Sequence, residues 1–217
     1  MSEVNGVLFD CDGVLVDSRD ANVATFQNLL KKAGYKEPSR EAVLACFHLP
    51  LRESVSQLTG VTDDEELDRI IELVKDPSVR ATHLFKFPDE IDSTLEQVHA
   101  RYKTGIVTSR IRVGLDDVLD ARDLDLRRYF DVLVVKEDYG QPKPHPEALL
   151  LALKMLRLDA SETVYIGDTH VDIEAARAAG MMSIHLAMTK HSDADVGVTG
   201  FAEIPKAVEK LSGRTAL

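Results

Sequence analysis

Residues 8–18 read LFDCDGVLVDS. The apolar run that begins at Val4 leads straight into Asp10 and Asp12, and Gly13 follows at once. Two carboxylates one residue apart at the end of a buried strand repel each other and lose solvation. The arrangement is costly unless a cation pairs with them. What that cation is, and whether the run is a strand of a parallel sheet, depends on the rest of the chain.

Short apolar runs rich in β-branched residues recur at Val4 to Phe9, Gly105 to Val107, Val132 to Val135, Thr163 to Ile166 and Ser183 to Leu186. Each reads as a fully buried strand rather than a half-exposed one. Helical periods separate the last four. Ile91, Leu95, Val98 and Tyr102 share one face after Pro88. Residues 144–156 are apolar nearly all round. An Ala-rich helix over 172–179 stops at Gly180. This alternation predicts an α/β fold: a Rossmann-like, mostly parallel sheet with helices on both faces.

Between the first and second strands the helix period holds without a strand. Val23, Phe26, Leu30 and Ala33 form a stripe ending at Gly34, and Leu51, Val55 and Leu58 form another ending at Gly60. Thr62 and Glu65 have capping-box spacing ahead of Leu67, Ile70 and Val74. A crossover between parallel strands needs only about a dozen residues. The excess predicts an inserted all-helical cap domain over 16–85, with the α/β core formed by 1–15 and 86–217.

The 217 residues carry Lys+Arg 26 against Asp+Glu 37, a net charge of −11. A field of that sign argues against nucleic acid and anionic membrane as partners. Cys11 and Cys46 offer no disulfide framework. No run reaches membrane-spanning length and the first residues do not resemble a signal peptide, so a cytoplasmic protein is expected.

In a parallel open sheet, ligands bind beyond the carboxyl ends of the strands. The residues there are Asp10 and Asp12, then Thr108 and Ser109, then Gly167, Asp168 and Asp172, with Lys143 in QPKPHPE near a helix start. Asp10 and Asp168 are suited to share Mg²⁺, a hard cation that takes oxygen ligands. Asp10 then stays ionised as a nucleophile toward phosphorus, and Asp12 is free to hold a proton as acid and then base. Gly13 allows a tight turn beside a phosphate. Lys143, with the hydroxyl and amides around Thr108 and Ser109, is suited to hold phosphoryl oxygens. Cys11 is read as core packing, and His145 as a loop residue. His170 lies where carboxylates already suffice for Mg²⁺.

Together DCDGVLVDS, VTS, KPHPE and GDTHVD resemble, in order and over essentially the whole chain, the four motifs of the haloacid dehalogenase superfamily, in the branch with a helical cap after the first motif. The resemblance implies a Mg²⁺-dependent phosphatase acting on a small phosphorylated metabolite through an aspartyl-phosphate. It assigns Asp10 as nucleophile, Asp12 as general acid/base, Thr108 as phosphate-binding hydroxyl and Lys143 as charge-stabilising cation. Mg²⁺ falls to the Asp10 carboxylate, the Asp12 backbone carbonyl and Asp168, with Asp172 in support. The founding dehalogenases lack the second acid, so Asp12 favours phosphoryl transfer over carbon–halogen cleavage.

The segment CFHLPLRESVSQL resembles the cap of phosphoglycolate phosphatases and of related pyrophosphate- or sugar-phosphate-cleaving members. Arg52 is its candidate for a distal substrate anion. His48 stands where phosphoglycolate phosphatases usually have a small residue. Three alternatives are weighed: a pyrophosphatase, a phosphomutase of the β-phosphoglucomutase kind, and a phospho-ligand-binding module without catalysis. Asn22, where the mutase branch carries His, and Leu49-Pro50-Leu51, where it carries Gly-Val-Ser, weaken the second. The intact acids, hydroxyl and lysine weaken the third. The chain is expected to act as a monomer or homodimer.

Overall fold

The computed structural model describes residues 3–47, 49–121, 125–189 and 193–213. It divides into two compact units, Met1–Asp17 with Lys86–Leu217, and Ser18–Phe85.

In the first unit six strands form one sheet: β1 (Gly6–Phe9), β2 (Lys103–Val107), β3 (Val132–Val134), β4 (Thr163–Gly167), β5 (Met182–Leu186) and β6 (Val196–Val198). Their spatial order is β3-β2-β1-β4-β5-β6 and every pairing is parallel. Phe9 at the end of β1 registers with Ile106 on one side and Ile166 on the other. The strand order therefore reverses about β1, which puts the switch point beside Asp10. The edge strand β6 was not expected, since three residues of VGV are too short to register as an apolar run.

The second unit holds α1 (Arg19–Lys32), α2 (Arg40–Ala45), α3 (Leu51–Thr59) and α4 (Asp64–Glu72). Leu29, Leu30, Val55, Leu67, Ile70 and Val79 form its buried core, with Phe26, Ala33, Leu51 and Leu58 packed against it. Thus α1, α3 and α4 each contribute an apolar stripe. The cap of α4 lies one residue beyond the expected Thr62: the Asp63 carboxylate accepts the Glu66 N–H at 2.9 Å. An aspartate offers a charged acceptor to the orphan amide, which a threonine does not. The six-residue α2 was too short to show a period.

Helices α5 (Ile91–His99), α6 (Arg112–Leu119), α7 (Glu147–Leu156), α8 (His170–Ala179) and α9 (Ile204–Leu211) belong to the sheet unit. Against one face of the sheet, α7 and α8 bury Ala148, Leu149, Ala152, Leu153, Ala175 and Ala176 beside Leu8, Val107 and Tyr165. Elsewhere in this unit the Phe9 ring meets Phe130 edge-on at 5.9 Å. The start of α7 is Glu147 rather than residue 144, and Leu150 and Met155 remain exposed on its outer face.

The first unit continues to Asp17, later than the expected boundary after residue 15. The reason is a backbone bridge. Asp17 donates to Lys86 O at 2.8 Å and accepts from Lys86 N at 3.1 Å, which keeps residues 16 and 17 with the sheet.

Candidate active site

Directly after β1, the Asp10 amide donates to Ile166 O at 2.8 Å, so the first site residue continues the ladder with β4. Its carboxylate is almost fully buried. Lys143 Nζ reaches Asp10 Oδ1 at 2.9 Å, Asp172 Oδ1 at 2.6 Å and the Tyr165 hydroxyl at 3.0 Å. Tyr165 in turn donates to Val107 O at 3.1 Å. The ammonium is therefore held by groups from β1, β4 and α8. The loop that carries Lys143 is pinned by Glu147, which accepts the Gly140 and Gln141 amides at 3.0 and 2.8 Å.

Burial pushes Asp10 up from the usual carboxylate range, and Lys143 opposes that shift. For Lys143, burial works against the charged form, but Asp10, Tyr165 and Asp172 outweigh it and raise its pKa well above the ordinary value. Burial also opposes the Asp172 charge. The Lys143 charge and hydrogen bond, with Thr169, nevertheless hold Asp172 below the ordinary value. The Thr169 amide and hydroxyl both donate to Asp172 Oδ2, so this acid closes the capping box at the start of α8, where Thr169 is the N-cap, as well as anchoring the lysine.

Asp168 completes the cluster. One carboxylate oxygen from each of Asp10, Asp168 and Asp172 lies within 4.8 Å of the others. Burial, then the Asp172 charge, raises Asp168 to about 6. Three carboxylates thus lie around one ammonium that bonds two of them, and the excess negative charge, all on hard oxygen donors, fits a divalent cation of the Mg²⁺ type. Asp172 is already committed to Lys143 and Thr169, so Asp10 and Asp168 are the side chains fitted to hold it. His185 in β5 donates Nε2–H to Asp168 O at 3.0 Å, fixing the peptide that carries this acid.

Two glycines permit the close approach. Gly13 has φ +76°, and a Cβ there would lie 2.0 Å from Asp168 Oδ2. At Gly167 a Cβ would meet the Asp172 Cβ at 2.2 Å. A side chain at either position would push a carboxylate out of the cluster.

Asp12 has a partner that the sequence did not show. The Arg110 guanidinium grips both its oxygens, Nε to Oδ2 at 2.8 Å and Nη2 to Oδ1 at 2.5 Å. A fork-shaped pair of this kind fixes the plane of the carboxylate. Thr108 is buried at the end of β2, and its Oγ1 accepts the Arg110 amide at 3.1 Å. Its carbonyl accepts from the Tyr139 hydroxyl at 3.1 Å. Ser109 is exposed on the same loop.

The structure therefore brings Asp10, Lys143, Asp168 and Asp172 together, sets Gly13 against Asp168, and ties Asp12 to the loop of Thr108 and Ser109. Arg52 belongs to the helical unit, where it pairs with Asp64 at 2.9 Å and with Asp68. His48 lies outside the described residues. Cys11 is fully buried as expected, while His145 and His170 are exposed. Sequence reasoning missed Arg110 and Tyr165. The signal for Arg110 was a cation two residues after Thr108, at a strand end where the other candidates are acids.

A parallel sheet with a lysine-bridged carboxylate cluster at its switch point defines a hydrolase core of one known class. The family model described as haloacid dehalogenase-like hydrolase matches residues 7–186. The chain belongs to that family. It is 32% identical over 189 residues to the pyrophosphatase PpaX of Anoxybacillus flavithermus, covering 86% of this chain and 85% of the relative. It is 34% identical over 182 residues to the PpaX of Bacillus pumilus, covering 82% and 81%. A solved haloacid dehalogenase-like hydrolase from Bacteroides fragilis superposes with a TM-score of 0.77 at 27% identity, over 93% of this chain and 100% of that one.

Proposed function

We propose that the chain is a Mg²⁺-dependent phosphatase that hydrolyses a small phosphorylated metabolite through an aspartyl-phosphate on Asp10. The observation that carries this reading is the buried Lys143 ammonium, shared between Asp10 and Asp172 with Asp168 alongside. Lys143 holds one oxygen of Asp10 and so orients the carboxylate for attack on phosphorus. As the Asp10–phosphorus bond forms and the ester bond breaks, the leaving oxygen takes a proton from Asp12, and the Lys143 charge offsets negative charge gathering on the phosphoryl oxygens. Thr108 and Ser109, with their amides, are the proposed donors to those oxygens. Water then displaces the phosphoryl group from Asp10, with Asp12 accepting its proton. Mg²⁺, when bound by Asp10, Asp168 and the Asp12 carbonyl, supplies the positive field that lets the acids and a phosphate dianion share the site.

A second reading takes pyrophosphate as the substrate. It is favoured by the relatives named pyrophosphatases, at 32% and 34% identity. The two readings separate in one experiment: phosphate release from 2-phosphoglycolate, hexose phosphates, pyrophosphate and 4-nitrophenyl phosphate, with Mg²⁺ and with excess chelator. Turnover of at least one of these with Mg²⁺, and none in chelator, is expected. Full activity in chelator overturns the metal assignment. Because uncatalysed phosphate-ester hydrolysis is so slow, Asp10→Asn retaining more than about a tenth of the wild-type rate overturns the covalent route.

A further inference from the structure

Arg110 has no part in the reaction so far, yet its side chain is only 12% exposed. Other paired arginines, such as Arg52 and Arg177, lie 40% and 65% exposed on the surface. The guanidinium is anchored on both sides. Nε and Nη2 hold Asp12, while Nη1 donates to Gly114 O at 3.3 Å in the first turn of α6. Its own amide is fixed by Thr108 Oγ1. Asp12 is the more open partner at 38% exposure, so water can reach it.

We propose that Arg110 is the positioning residue that presents Asp12 to the water that cleaves the aspartyl-phosphate. The inference rests on the phosphatase reading above. In that step the water oxygen forms a bond to phosphorus and the Asp10 oxygen–phosphorus bond breaks. Its electron pair returns to Asp10, the water proton passes to Asp12, and inorganic phosphate leaves. The guanidinium fork fixes the plane of the Asp12 carboxylate, and each oxygen keeps a lone pair able to accept that proton. Without the fork the side chain loses its two-point hold on the carboxylate plane, and a misplacement of about 1 Å costs on the order of 10²-fold.

The test uses 4-nitrophenyl phosphate, whose leaving group departs without a proton. The ratio kcat/KM reports the steps up to phosphorylation of Asp10, whereas kcat reports the slowest step. In Arg110→Ala, kcat is expected to fall about 10- to 100-fold and KM to fall with it, leaving kcat/KM within about 3-fold. Nitrophenol then appears in a burst, and phosphoenzyme accumulates in rapid-quench samples. Arg110→Lys keeps the charge without the fork and recovers only part of kcat. It is read in the same way if the alanine variant fails to fold. A parallel loss of kcat and kcat/KM without a burst overturns the proposal, because a structural or substrate-binding arginine behaves so. Turnover retained by Asp10→Asn above about a tenth of the wild-type rate is a separate result, and it overturns the covalent reading itself.

Discussion

Lys143 Nζ stands 2.6 Å from Asp172 Oδ1, closer than the 2.9 Å that separates it from Asp10 Oδ1. The acid at the third position of α8 therefore anchors the lysine that holds Asp10, the proposed nucleophile. Asp172→Ala is expected to lower kcat about 10- to 100-fold by letting Lys143 shift. It should also reduce stability by about 1–3 kcal/mol, since a buried ammonium loses one of two anionic partners. Steady-state kinetics and thermal denaturation check both effects, and an unchanged kcat would show that Asp10 alone holds the lysine.

Asp168 is raised from 3.8 to about 6. Its protonated form favours the folded state. That contribution is complete below about 4 and is lost as pH rises through about 6, so at pH 7.5 the ionised group costs stability. Asp168→Asn removes the cost. The metal-free variant should melt above the metal-free wild type at pH 7.5, by no more than about 3 kcal/mol for a shift of two units. The gap should narrow toward pH 5. The rise in melting temperature that Mg²⁺ gives the wild type should vanish in the variant. Melting curves with and without Mg²⁺ at both pH values test this, and a variant less stable than wild type at pH 7.5 refutes it.

At Gly13 a methyl group meets a carboxylate instead of open space, and the backbone lies at φ +76°. Gly13→Ala should therefore cost about 1–3 kcal/mol in strain. Displacement of Asp168 should also weaken Mg²⁺ binding at least about tenfold. Titration of Mg²⁺ followed by calorimetry reads the second effect directly. Affinity equal to wild type would mean that Asp168 tolerates the shift.

Arg52 pairs with Asp64 and Asp68, which are 89% and 71% exposed. Ion pairs so open to water are worth little, so Arg52→Ala should change stability by less than about 1 kcal/mol. Hydrolysis of 4-nitrophenyl phosphate, which has no distal anion, should stay within about twofold of wild type. A larger loss on that substrate would show that Arg52 serves more than its two aspartates.

The first five strands were legible because each is a mostly buried parallel strand, and such strands write themselves as short runs dominated by apolar residues. The acids and Lys143 were legible because strand ends in this architecture gather at one rim. The grip on Asp12 was not, since Asp12 and Arg110 stand 98 positions apart and meet only when β1 and β2 pair. The particular partners of Arg52 were not legible either, since Asp64 and Asp68 lie 12 and 16 positions on and meet it only when α3 and α4 pack. Short elements such as α2 and β6 carry too few residues for a period to emerge.

Asp17 and Lys86 exchange both backbone hydrogen bonds, so the chain leaves the sheet unit and returns to it at one point. An insertion joined through such a closed stem does not stretch its host. Its length enters the host's stability only through a slowly growing closure entropy, about 0.6 kcal/mol per doubling. The segment Ser18–Phe85 is in this sense a pendant module. Evolution can lengthen, shorten or exchange it while the register of β1, β2 and β4 is left undisturbed.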